Sequence, residues 1–154
     1  MLAATASLLA ARGTSAQDVK ATRSFPAGFL WGAATAGHQV EGNNVASDLW
    51  LLEQVKPTVF AEPSGDAVNS FALWPRDIDL AKGIGLNSYR FSIEWARIEP
   101  EPGQFSLAML DHYKAMVEGC RERGLAPIVT FSHFTAPRWF AARGMSVLAV
   151  DRDE

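Results

Sequence analysis

Three short apolar runs recur along this chain, and each gives way to polar and aromatic residues. Ala126-Pro127-Ile128-Val129-Thr130-Phe131 is short, uncharged and rich in β-branched residues, the pattern of a strand buried on both faces of a parallel sheet. Ser132-His133-Phe134 follows it. Phe29-Leu30-Trp31-Gly32-Ala33-Ala34-Thr35-Ala36 leads likewise into His38-Gln39-Val40-Glu41-Gly42, and Ser88-Tyr89-Arg90-Phe91-Ser92-Ile93 leads into Glu94-Trp95. Strands are therefore predicted over 29–36, 88–94 and 126–132, with chemistry-bearing side chains at their C-terminal ends, where barrel enzymes hold their active sites.

Helical periodicity fills the intervals. Phe71, Trp74, Ile78 and Ala81 recur at spacings of three and four, which makes one apolar stripe able to cover a sheet. Pro75 lacks a backbone donor, so it is expected to kink this helix or mark its start, and Gly83-Ile84-Gly85-Leu86 to end it. In the next interval Ser106 is the expected N-cap, Leu110, Tyr113, Val117 and Cys120 share a face, and Gly124 is the stop. Strand alternating with helix predicts parallel pairing through right-handed crossovers.

Alternation along 88–94 assigns the two faces of the second strand. Tyr89, Phe91 and Ile93 face the helices, while Ser88, Arg90, Ser92 and Glu94 face the opposite way. Arg90 then lies where water is scarce and needs a partner, Glu94 being the nearest acid in sequence. Trp31, Trp74 and Trp95 are expected in the core, whereas for Trp139 core and sugar platform stay open, since the loop after the third strand borders the cleft.

Composition narrows the class. The chain has 154 residues, 48% hydrophobic and 20% charged, with a formal net charge of −3, which describes a globular piece without the basic surface that nucleic acid requires. The single cysteine, Cys120, excludes an intramolecular disulfide, and its place on a helix predicts a buried thiol. No metal-ligand cluster, phosphate loop or nucleotide fingerprint occurs, so no cofactor is expected. Residues 1–16 begin with a small, apolar stretch too short for a membrane span. Thr14-Ser15-Ala16 offers small residues for cleavage, as a signal peptide does; this points to a secreted or periplasmic rather than a cytoplasmic protein, with an unstructured extension as the alternative.

Three segments in this order make the chain recognisable: Phe29 to Ala36 with Gln39-Val40-Glu41-Gly42, then Tyr89-Arg90-Phe91-Ser92-Ile93-Glu94-Trp95-Ala96-Arg97-Ile98-Glu99-Pro100, then His133-Phe134 with Pro137. Over about residues 25–144 the chain resembles the N-terminal part of glycoside hydrolase family 1, the β-glucosidases and their relatives. The resemblance implies a (β/α)8 barrel and hydrolysis of β-glycosides or oligosaccharides with retention, without a cofactor. It also implies a glutamate acid/base in an Asn-Glu-Pro motif after strand 4 and a glutamate nucleophile in a Glu-Asn-Gly motif after strand 7. Neither motif occurs in these 154 residues. By the same resemblance Gln39 and His133 contact the glycone, Arg90 contacts the nucleophile, Glu94 is a supporting residue, and Phe134 stands where the family usually has tryptophan. Without the resemblance, a strand-end histidine reads first as structural.

A barrel of this kind takes roughly 250 residues. The expectation is therefore an incomplete (β/α)8 barrel containing about the first three βα units over residues 17–144, a divergent tail over 145–154, and no catalytic residue of its own, so that the chain is inactive alone. Glu41 and Glu94 imitate the paired carboxylates of a glycosidase but fall on strands 1 and 2, away from the expected catalytic strands. Two other readings are a fragment of a related retaining barrel such as an endoglucanase, against which Gln39-Val40-Glu41-Gly42 argues, and a non-catalytic sugar-binding fragment that keeps Gln39 and His133.

Overall fold

The computed structural model describes residues 24–145. The candidate signal peptide and tail residues 146–154 lie outside them. Three parallel strands, β1 (Gly32–Ala34), β2 (Ser88–Ser92) and β3 (Ala126–Thr130), form one sheet in the order β1-β2-β3. Arg90 is in register with Ala34 on one side and Ile128 on the other. Short helices α1 (Gly37–Val40) and α2 (Asp48–Gln54) follow β1, and the long α3 (Ser70–Gly83) completes that crossover. The turn α4 (Trp95–Ile98) and the long α5 (Leu107–Glu122) follow β2, and α6 (Arg138–Phe140) follows β3. This is the expected arrangement of the first three units of a (β/α)8 barrel.

The long helices end alike. The Leu86 N–H donates to the Ala81 carbonyl and Gly85 to Lys82, and the Leu125 N–H donates to Cys120 and Gly124 to Arg121. Each is a Schellman motif whose left-handed residue, Gly85 at φ 90° or Gly124 at φ 68°, carries no Cβ penalty. Both leucines then pack into or against the core and lead into the following strand. At the other end of α5 the Ser106 hydroxyl accepts from the Met109 N–H at 3.4 Å, the expected cap. Pro75 does not start α3, which begins five residues earlier at Ser70 and continues through it.

The core lies between the sheet and the two long helices. Tyr89 and Phe91 from β2 meet Ile78 and Ala81 from α3 and Tyr113, Met116 and Cys120 from α5, with Ile98 and Leu125 closing the ends. The alternation read for β2 is thus observed. Cys120 is fully buried, and burial pushes its thiol pKa up. On α5 the apolar stripe is turned relative to expectation: Met116 is in the core and Leu110 is exposed, because Met109, Tyr113, Met116 and Cys120 follow the helical repeat more closely.

Two further expectations fail for one reason. β1 is three residues long instead of eight, and β3 is not buried on both faces, with Ile128 and Phe131 exposed at 44% and 76%. Each of these strands is an edge of the sheet, paired on one side only among the described residues. Trp31 is not core: it is half exposed and joins Phe25 and Phe29 in a cluster with ring centroids 4.5–4.9 Å apart. Trp74 packs partly against the core. Trp95 leans edge-on against Trp139 at 5.5 Å, and its indole N–H donates to Glu99.

Gly119 lets α5 approach α3. A Cβ on it would overlap the Trp74 indole. Glycine to alanine inside a helix ordinarily adds up to about 1 kcal/mol of stability; here Gly119→Ala is expected to cost about 1–3 kcal/mol by overpacking. Urea unfolding decides the sign, and a stabilised variant would mean that the indole can move aside.

Candidate active site

The strand ends carry the polar groups, and the backbone sets their directions. After β1, the Thr35 N–H still donates to the Arg90 carbonyl at 2.9 Å, and the Gly37 N–H then donates to the Ser92 hydroxyl at 2.6 Å. These two bonds tie the start of α1 to the end of β2. Gln39 stands exposed on that single turn, and His38 is buried beside it.

Arg90 has no carboxylate partner among its hydrogen bonds: its Nε donates to Thr130 Oγ1 at 2.8 Å and its Nη2 bonds His133 Nδ1 at 2.7 Å. A guanidinium has no acceptor. His133 Nδ1 must therefore accept, which places the ring proton on Nε2 and makes that nitrogen the donor available to a ligand. Glu94 is not the partner of Arg90, contrary to the local alternative. Phe134 follows in left-handed backbone, φ 71°, with its ring 59% exposed and edge-on to His133 at 4.8 Å. A left-handed non-glycine residue costs on the order of 1–2 kcal/mol and is typical of positions whose direction matters to a site.

Gln39, His133 and Phe134 line one cavity of about 660 Å³. Besides Ala36, its remaining wall comes from residues on which the sequence reading placed no role: His38, Leu49 and Glu53, and Val59, Phe60, Glu62 and Ser64 from the loop after α2. The signal for Glu53 was present. Leu49 and Glu53 are one helical turn apart, so the carboxylate shares a face with a buried leucine and needs a partner.

A buried polar layer at the same strand ends does not line the cavity. Glu94 is fully buried at the end of β2, and its Oε2 accepts from Asn44 Nδ2 at 2.5 Å and Thr135 Oγ1 at 2.6 Å. Its Oε1 lies against Gly37, where any Cβ would overlap it, and has no hydrogen-bond partner. Burial, opposed by the Thr135 hydrogen bond and reinforced by the Glu41 charge, pushes the Glu94 carboxyl up to about 7. Glu41 is also buried; its Oε2 accepts from Arg97 Nε at 3.0 Å, and the Tyr113 hydroxyl donates to it at 3.1 Å. Burial raises the Glu41 pKa despite Arg97. Glu41 and one oxygen of Glu94 are thus held by internal partners, and neither carboxylate lines the cavity, which suits a supporting role. Among the described residues no group of three His, Cys, Asp or Glu side chains could hold a metal ion, and no helix is long and apolar enough to cross a membrane.

Comparison with known proteins agrees with this geometry. Human cytosolic beta-glucosidase is 37% identical over 129 residues, which is 78% of this chain and 28% of the human protein. The crystal structure of beta-glycosidase BGL167 superposes with a TM-score of 0.74 at 64% identity, over 75% of this chain and 28% of that one. A Thermotoga maritima beta-glucosidase in complex with castanospermine superposes at 0.70 and 32% identity, over 78% and 29%. The chain thus spans just over a quarter of the length of these relatives. The family model of glycosyl hydrolase family 1 matches residues 21–145, and the chain belongs to glycosyl hydrolase family 1.

Proposed function

We propose that this chain supplies the glycone-binding part of a β-glucosidase-like enzyme that hydrolyses O-glycosidic bonds with retention. The observation that carries the reading is the single cavity shared by Gln39, His133 and Phe134, with Arg90 holding the histidine. A glutamine amide both donates and accepts, and the His133 Nε2–H donates, so the two can bracket neighbouring hydroxyls of a pyranose. Phe134 offers an apolar face to the ring carbons. The retaining reaction needs two carboxyl groups about 5–5.5 Å apart across the scissile bond. In this reading they come from outside these 154 residues, because neither Glu41 nor Glu94 lines the cavity.

Titration of the 154-residue chain with castanospermine, beside an assay with an activated aryl β-glucoside, tests the proposal. Binding without turnover is expected. Gln39 is exposed, so Gln39→Ala should leave folding intact and weaken castanospermine by about tenfold, the worth of one hydrogen bond of roughly 1–1.5 kcal/mol. Undiminished binding in Gln39→Ala would remove the glycone assignment. Turnover that vanishes in Glu94→Gln would transfer the chemistry to strand 2.

A further inference from the structure

Part of the cavity wall belongs to the loop after α2, and one buried carboxylate holds it there. Glu53 Oε1 bonds His38 Nε2 at 2.7 Å, and Glu53 Oε2 accepts from both the backbone N–H and the hydroxyl of Ser64, each at 2.9 Å. The start of the loop is pinned separately, by the Thr58 hydroxyl donating to the Leu52 carbonyl at 2.9 Å. Between these anchors Val59 projects almost fully exposed and Phe60 is half-buried, and both line the cavity with Glu62 at its rim.

We propose that Glu53 is a positioning residue that holds segment 58–64 as an apolar wall for an aryl or alkyl aglycone, tying that wall to the turn that carries Gln39. The inference rests on the glycone reading above and extends it to the other half of the substrate. Its chemistry follows from the bridge. His38 and Gln39 are neighbours on α1, so a carboxylate bonded to His38 at one oxygen and to Ser64 at the other fixes the distance between the sugar-contacting amide and the loop. A carboxylate that merely stabilised α1 would not need to bond the loop that forms part of the cavity wall.

Hydrogen exchange of the ligand-free chain, combined with binding of castanospermine and of phenyl and methyl 1-thio-β-D-glucoside, tests this. In Glu53→Ala the amides of 58–66 should exchange at least about tenfold faster, the worth of one lost charged hydrogen bond, while those of β2 and α5 keep their rates. Phenyl thioglucoside should weaken by about tenfold, with castanospermine and the methyl compound changed by less than about twofold. Glu53→Gln retains an acceptor for Ser64 and a donor for neutral His38, so it should restore both readouts. If Glu53→Ala does not fold, Ser64→Ala makes the same comparison with a smaller change. Unchanged exchange at 58–66, equal acceleration in β2 and α5, or equal weakening of all three ligands would overturn the proposal. Failure of the wild-type chain to bind any of the three ligands would instead remove the glycone reading, and the exchange result would still decide whether Glu53 positions the loop.

Discussion

Arg97→Ala is expected to destabilise the chain by about 3–5 kcal/mol at neutral pH, the cost of leaving one member of a buried ion pair without its partner. Glu41 is buried and has only the Tyr113 hydroxyl besides Arg97, which also donates to the Gly42 carbonyl and lies over the Phe71 ring at 4.4 Å. Without the guanidinium, burial of the Glu41 carboxyl is opposed only by the Tyr113 hydrogen bond, and its folded pKa rises further. The loss should therefore be largest well above that pKa and shrink as pH falls towards the ordinary value of 4.5. Adding Glu41→Gln to Arg97→Ala should recover more than half of the loss. A loss below about 1 kcal/mol, the usual worth of an exposed pair, would mean that water reaches the Glu41 carboxylate.

The second large effect has the opposite sign. The Glu94 carboxyl is raised from 4.5 to about 7 in the folded chain. The folded state therefore binds more protons than the unfolded state between these values, and stability falls as pH rises through that window. The contribution is fully present below 4.5 and lost once the folded carboxyl ionises above about 7, in total about 3 kcal/mol. Glu94→Gln should flatten this slope. Its amide oxygen can still accept from Asn44 and Thr135, so the variant should match the wild type near pH 4.5 and exceed it by about 2–3 kcal/mol at pH 8. Thermal unfolding midpoints of both chains across that range provide the measurement. An unaltered slope would show that Glu94 is ionised in the folded state at all these pH values.

Local pattern made much of the scaffold legible. Alternation placed Tyr89 and Phe91 in the core, the serine before an apolar stripe capped α5, and glycine followed by leucine marked both helix ends. Strand lengths and burial were less readable, because they depend on what lies beside a strand: β1 and β3 each pair on one side only, so Trp31 and Ile128 are exposed despite their apolar surroundings in sequence. In the site, the residues singled out lie at strand ends, where period-2 patterning gives a direction. Their partners join positions 15 to 43 residues apart, as in His38–Glu53 and Arg90–His133. Such pairs leave no periodic trace, and only the demand of a buried charge for a partner hints at them.

Gly37, Asn44, Glu94 and Thr135 come from four different segments but share one carboxyl group. A side chain at 37 would have to displace Oε1, and the displaced carboxylate would drag on both donors to Oε2. Thr135 directly follows Phe134, so crowding at the turn that bears Gln39 would be passed through the buried acid to the segment that carries His133 and Phe134. Substitutions at these four positions are consequently expected to be non-additive. A change tolerated at one of them depends on what occupies the other three, so the site can be altered in sequence only as a unit.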